Sequence, residues 1–74
     1  MTLKEKFQEA LRIAKEIAKD SETATDFHNA FFGINGRFGQ MFPERAERDA
    51  FFKSPEYEEI FQLRESLPEF QPWI

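Results

Sequence analysis

Phe27-His28-Asn29-Ala30-Phe31-Phe32-Gly33-Ile34-Asn35-Gly36-Arg37-Phe38-Gly39-Gln40-Met41-Phe42 is the stretch on which the fold turns. Its apolar side chains Phe27, Phe31, Ile34, Phe38 and Phe42 recur at steps of four, three, four and four, the period of one helix face. Against a single helix stand Gly33, Gly36 and Gly39, each costing about 1 kcal/mol relative to Ala in a helix interior, and the turn dipeptide Asn35-Gly36. The stripe nonetheless keeps helical phase across all three glycines, which a loop has no reason to do. The preferred reading is therefore a helix running to about Met41, with the glycines admitting a close helix neighbour. A break at Asn35-Gly36 is the second reading.

Upstream, residues 2–20 read as an amphipathic helix. Thr2 caps it, and Glu5 three residues later completes the capping-box pattern. Leu3, Phe7, Ala10, Leu11, Ala14, Ile17 and Ala18 form the inward stripe, with Ile13 off its edge and the Lys, Arg and Glu side chains outside. Asp20-Ser21-Glu22-Thr23 is a polar break, and Thr23 followed by Asp26 starts the second helix.

Downstream, Phe42-Pro43-Glu44 forces a change of direction, because the residue before Pro avoids helical geometry while Pro suits the first helical position. A third helix over about Pro43 to Lys53 follows. Ser54-Pro55-Glu56 repeats the device for a fourth, with Ser54 as N-cap, Pro55 at N1 and acidic residues in the first turn. That helix carries Tyr57, Ile60, Phe61 and Leu67 near one face, with Leu63 beside them, and Leu67-Pro68 stops it. The proline-spaced segment 68–74 reads as an extended tail. The expected architecture is all-α: a single domain over 1–74, a small bundle of three or four helices.

Composition bounds the function. Seventy-four residues support a core worth only about 3–5 kcal/mol, and chains this small usually add a disulfide, a metal or a partner subunit. There is no Cys and a single His, His28, and no stretch matches a calcium-loop pattern, so neither a metal nor a cofactor is expected. Aromatic packing and self-association are the remaining supplements. The formal net charge is −4. Residues 1–20 carry five basic and four acidic groups, residues 21–42 one and two, and residues 43–74 four and eight. That balance disfavours nucleic acid and anionic membranes as partners. No apolar run is long enough for a signal peptide or a membrane span, so a soluble, cytoplasmic protein is expected.

Catalytic chemistry finds little footing. His28 would have Ala24, Thr25, Phe31 and Phe32 as its helix neighbours, none of them a carboxylate to orient an imidazole base. Ser21, Ser54 and Ser66 fall at helix ends, where capping explains them. Acid pairs such as Glu58/Glu59 and Glu44/Glu47 read as solvated charges on a helical surface. The glycine-rich segment 33–39 lacks the preceding strand and the spacing of phosphate-binding loops. Arg37, Arg45 and Arg48 could gather beside the bend, but Glu44, Glu47 and Asp49 interleave with the last two and would repel nucleic-acid phosphate. No catalytic site is expected.

What remains is aromatic surplus: ten Phe with Tyr57 and Trp73. Phe31-Phe32 and Phe51-Phe52 are adjacent pairs, and helix neighbours point about 100° apart, so one small core cannot easily cover all four rings. Leftover aromatic surface on a small domain serves an interface. The expected role is a non-catalytic interaction module, forming a homo-oligomer or docking a protein partner, with Phe31, Phe32, Phe51, Phe52, Arg37 and Trp73 as interaction residues. The alternatives are a small DNA-binding regulator and a carrier or sensor of an apolar ligand.

Overall fold

The computed structural model describes residues 2–68. They form an all-α fold of five helical segments: α1 (Leu3–Asp20), α2 (Ala24–Phe32), α3 (Arg37–Met41), α4 (Arg45–Phe52) and α5 (Pro55–Glu65). Four are helices of two turns or more, and α3 is a single short one. The extended tail expected over 68–74 lies, beyond Pro68, outside the described residues.

Three helix starts follow their sequence signals. Thr2 accepts the Glu5 backbone N–H while the Glu5 carboxylate accepts that of Thr2, a complete capping box at 3.2 Å each way. The Thr23 hydroxyl accepts the Asp26 N–H at 3.1 Å, and Ser54 accepts the Tyr57 N–H at 3.3 Å with Pro55 in the first turn. These caps satisfy backbone donors that have no partner inside their own helix.

The central stretch is broken. α2 ends at Phe32 and α3 begins at Arg37, so the preferred single helix to Met41 gives way to a break that includes Asn35-Gly36. Gly33 closes α2, its N–H donating to the Asn29 carbonyl at 3.2 Å, and the Gly36 N–H donates to the Gly33 carbonyl at 2.9 Å. Both glycines have ordinary extended backbone, with φ of −70° and −77°, so left-handed geometry is not what selects them. Steric room is. A β-carbon on Gly36 would sit 2.5 Å from the Phe31 carbonyl oxygen, and one on Gly33 would collide with the Asn29 carbonyl. The close approach is thus between the turn and the end of its own helix. The expectation of a second helix lying over the glycines is corrected, and Gly39 has nothing within 4 Å of its missing β-carbon.

Four members of the stripe still meet. Phe27, Phe31 and Phe42 are fully buried and Phe38 is 8% exposed, whereas Ile34, carried by the turn, is completely exposed. The expected inward position of Ile34 is wrong because the chain leaves helical geometry on either side of it. Phe51 from α4 and Ile60 from α5 complete the interior with Ala10, Ile13 and Ala14 of α1. Ile13 is a correction too. Expected off the edge of the α1 stripe, it is buried, because α1 packs against α2, α3 and α5 and so needs a wider apolar face than one neighbour would require.

α4 starts two residues later than the sequence signal suggests. Glu44 is the residue preceding its first turn, and Pro43 stands outside the helix rather than at its first position. Phe42 is buried at this corner, and its carbonyl accepts the Arg48 Nε–H at 2.6 Å, pinning the corner to the second turn of α4. Lys6 of α1 reaches across to Glu47 of α4 at 3.1 Å and lies 5.4 Å from the centre of the Phe42 ring.

Candidate functional site: an aromatic face

The core surfaces on one side of the molecule. At the junction of α2, α3, α4 and α5, Phe38 contacts Phe32 and Phe52 at ring-centre distances of 5.2 and 5.4 Å. Tyr57, the first aromatic residue of α5, contacts Phe52 edge-on at 5.0 Å and Phe32 at 6.3 Å. These separations and tilted geometries fall in the range where aromatic pairs attract. The network continues inward through Phe51, which meets Phe38, Phe42 and Tyr57 at 5.4, 5.0 and 5.8 Å. The outer rings are therefore continuous with the interior. Phe52 keeps 44% of its surface open, and Phe32 and Tyr57 are half-buried.

Each adjacent pair is split as helix geometry requires. Phe31 and Phe51 have no exposed surface and belong to the core, so they present nothing to a partner in this fold. Phe32 and Phe52 are the outward members. Tyr57, which joins them, was not among the expected interaction residues. Its signal was available in the Ser54-Pro55 start, which sets the phase of α5 and turns Tyr57 toward α4. Arg37 is exposed at the start of α3, with Glu9 among its electrostatic neighbours. Trp73 lies outside the described residues.

The polar candidates have structural employment. Ser21, Ser54 and Ser66 donate their hydroxyls to the Ile17, Phe51 and Leu63 carbonyls at 2.7, 2.5 and 2.7 Å. Arg12 pairs with Glu9 one turn away, which lowers the Glu9 carboxyl pKa through that hydrogen bond, and Arg48 is turned toward Phe42. The three-arginine patch considered from sequence thus has one member committed to the fold, leaving Arg37 and Arg45 exposed.

His28 sits on the seam between α2 and α5. Its ring lies 5.7 Å from that of Phe32, and the cation Arg64 acts on it electrostatically. Burial, and secondarily Arg64, lower the imidazole pKa from its usual value of 6.5, favouring the neutral form. Arg64 itself is 8% exposed and stacks over Phe61 at 5.7 Å. At the far end of this seam the Ala24 N–H donates to the Pro68 carbonyl at 2.8 Å, so the chain leaving α5 is tied to the start of α2.

Among the described residues no cluster of three or more His, Cys, Asp or Glu could hold a metal ion, and no helix is long and apolar enough to cross a membrane. Set against protein families, curated proteins and solved structures, the chain has no match.

Proposed function

We propose that this chain is a non-catalytic interaction module that associates with a second copy of itself, or docks on a protein partner, through the aromatic face of Phe32, Phe52 and Tyr57. One observation carries the reading: Phe52, a large ring packed on the core network, leaves 44% of its surface open. Burying it would release apolar surface from water at about 25 cal/mol per Å². Aromatic side chains of this kind supply the dominant contacts at protein interfaces. A chain of this size with no disulfide also gains most from being covered.

Sedimentation equilibrium of the whole chain across the micromolar range tests this. The expected result is a dimer or larger species that shifts to monomer in Phe52→Ser, with helical circular dichroism retained. Association that survives both Phe52→Ser and Phe32→Ser would remove the aromatic face from the interface. A wild-type monomer at every concentration would remove self-association and leave docking on a different protein.

A further inference from the structure

The starts of α1 and α5 lie side by side and leave an open groove of about 560 Å³ between them, lined by Leu3, Lys4 and Phe7 on one side and Ser54, Pro55 and Glu56 on the other. Its floor is held from behind. Phe7 contacts the buried Phe51 ring at 5.4 Å, and the Ser54 hydroxyl is bonded to the Phe51 carbonyl and the Tyr57 N–H. Its rim is open, with Leu3 38% exposed and Lys4 and Pro55 exposed beside it. Pro55 stands in the chain between Phe52 and Tyr57, so the groove and the aromatic face meet at the α4–α5 corner.

We propose that a second copy of this chain docks here about a two-fold axis, with the interface running from the aromatic face round the corner into the groove. The inference rests on the aromatic-face reading and says what covers that face. Area is the first argument. Phe32, Phe52 and Tyr57 are each more than half covered and together leave on the order of 300 Å² open, whereas a stable dimer buries about 800 Å² on each partner. The face needs an extension, and Leu3, Phe7 and Pro55 supply adjoining apolar surface. Charge is the second argument, and it selects the occupant. Lys4 stands on the α1 side of the groove and Glu56 on the α5 side, and among the described residues neither has an ion-pair partner, the other included. A ligand with a single carboxylate would satisfy Lys4 and leave Glu56 repelling it. A second copy presents both signs in the required order, because a two-fold axis that sets one residue against another also sets the second against the first. Lys4 of each copy then lies opposite Glu56 of the other. Such exposed pairs add little affinity, but they fix register and orientation.

Charge reversal in the whole chain, read by sedimentation equilibrium at low salt, tests the arrangement. Lys4→Glu alone and Glu56→Lys alone set like charges against each other across the axis, and each is expected to weaken association several-fold with helical circular dichroism retained. An equimolar mixture of the two variants restores both pairs between copies and should recover wild-type association. Both variants stay net negative, since one reversal moves the formal −4 by two units, so bulk attraction between them does not explain a recovery. The chain carrying both reversals keeps the wild-type net charge and should recover as well. A wild-type monomer at every concentration would overturn the proposal, and so would single variants that associate like the wild type or a mixture no tighter than its components. The aromatic-face reading is separated by Phe52→Ser. Association lost in Phe52→Ser but indifferent to both reversals sinks the groove alone, while association that responds to the reversals and recovers in the mixture, yet ignores Phe52→Ser, keeps the groove and sinks the aromatic face.

Discussion

The two halves of the phenylalanine stripe reach the same core by different routes. Phe27 and Phe31 lie on α2, where continuous hydrogen bonding fixes their spacing and their rings stack 6.0 Å apart at 12°. Phe38 lies across a four-residue break, on a helix of five residues without a side-chain cap, and Phe42 is the non-helical residue just after that helix. The second pair is nevertheless buried almost as deeply as the first. Helical period in the sequence here records the geometry of the core, which demands rings at those positions, and the backbone between is free to depart from a helix. Ile34 shows the limit of that freedom. It holds the right phase and sits wholly in water.

The hardest test of this equivalence is truncation of one ring from each half. Phe31→Ala and Phe42→Ala each remove a fully buried ring and are expected to cost about 3–5 kcal/mol. That is comparable to the whole stability of a domain this small, so both variants should be largely unfolded by circular dichroism at room temperature. A folded Phe42→Ala beside an unfolded Phe31→Ala would show that the α3 half hangs on the core without supporting it.

Next in size are the glycines, which separate the break from the short helix that follows. Gly36→Ala is expected to destabilise by about 1–3 kcal/mol, because the added methyl meets the Phe31 carbonyl, a backbone group that cannot swing aside. Gly39→Ala runs the other way. Its methyl enters open space within α3 and is expected to stabilise by up to about 1 kcal/mol through helix propensity. Thermal melts of the two variants decide the point, since opposite signs follow from the broken helix and equal, favourable signs from an unbroken one.

These glycines also mark how far the sequence could be read. The caps at Thr2, Thr23 and Ser54, the all-helical class and the burial of four stripe Phe residues were legible, since each depends on residues within one turn or on a simple period. The break at 33–36 was visible as an alternative but lost to the stripe's phase. In the broken geometry a β-carbon at Gly33 or Gly36 would meet a carbonyl four or five residues back, a requirement for glycine that no local propensity encodes. Ile13 illustrates the same boundary. Whether the edge of a helix face is covered depends on how many neighbours pack on it, a tertiary fact. The split of Phe31-Phe32 and Phe51-Phe52 into one inward and one outward ring was foreseeable; the stripe also put Phe31 inward, whereas no comparable period said which ring of Phe51-Phe52 faced the core.

The smallest expected effect distinguishes the halves electrostatically, because α2 carries a titratable group against the core seam and α3 carries none. The folded-state pKa of His28 lies below its usual 6.5, through burial and then through Arg64. Between those two values the unfolded chain therefore binds more protons than the folded one, and stability falls as pH drops through that window. Above about 6.5 the imidazole is neutral in both states and the slope from this group disappears. Melting temperatures taken from about pH 8 to about pH 5 should decline through the window in the wild type and stay nearly level in His28→Gln, until carboxylates begin to titrate lower down. Glu5 and Glu9, the acids with lowered pKa, are held by Thr2 and Arg12 and lose their contributions only below the ordinary carboxylate range. A decline of equal slope in His28→Gln would assign the pH dependence elsewhere and leave the two halves of the stripe electrostatically alike.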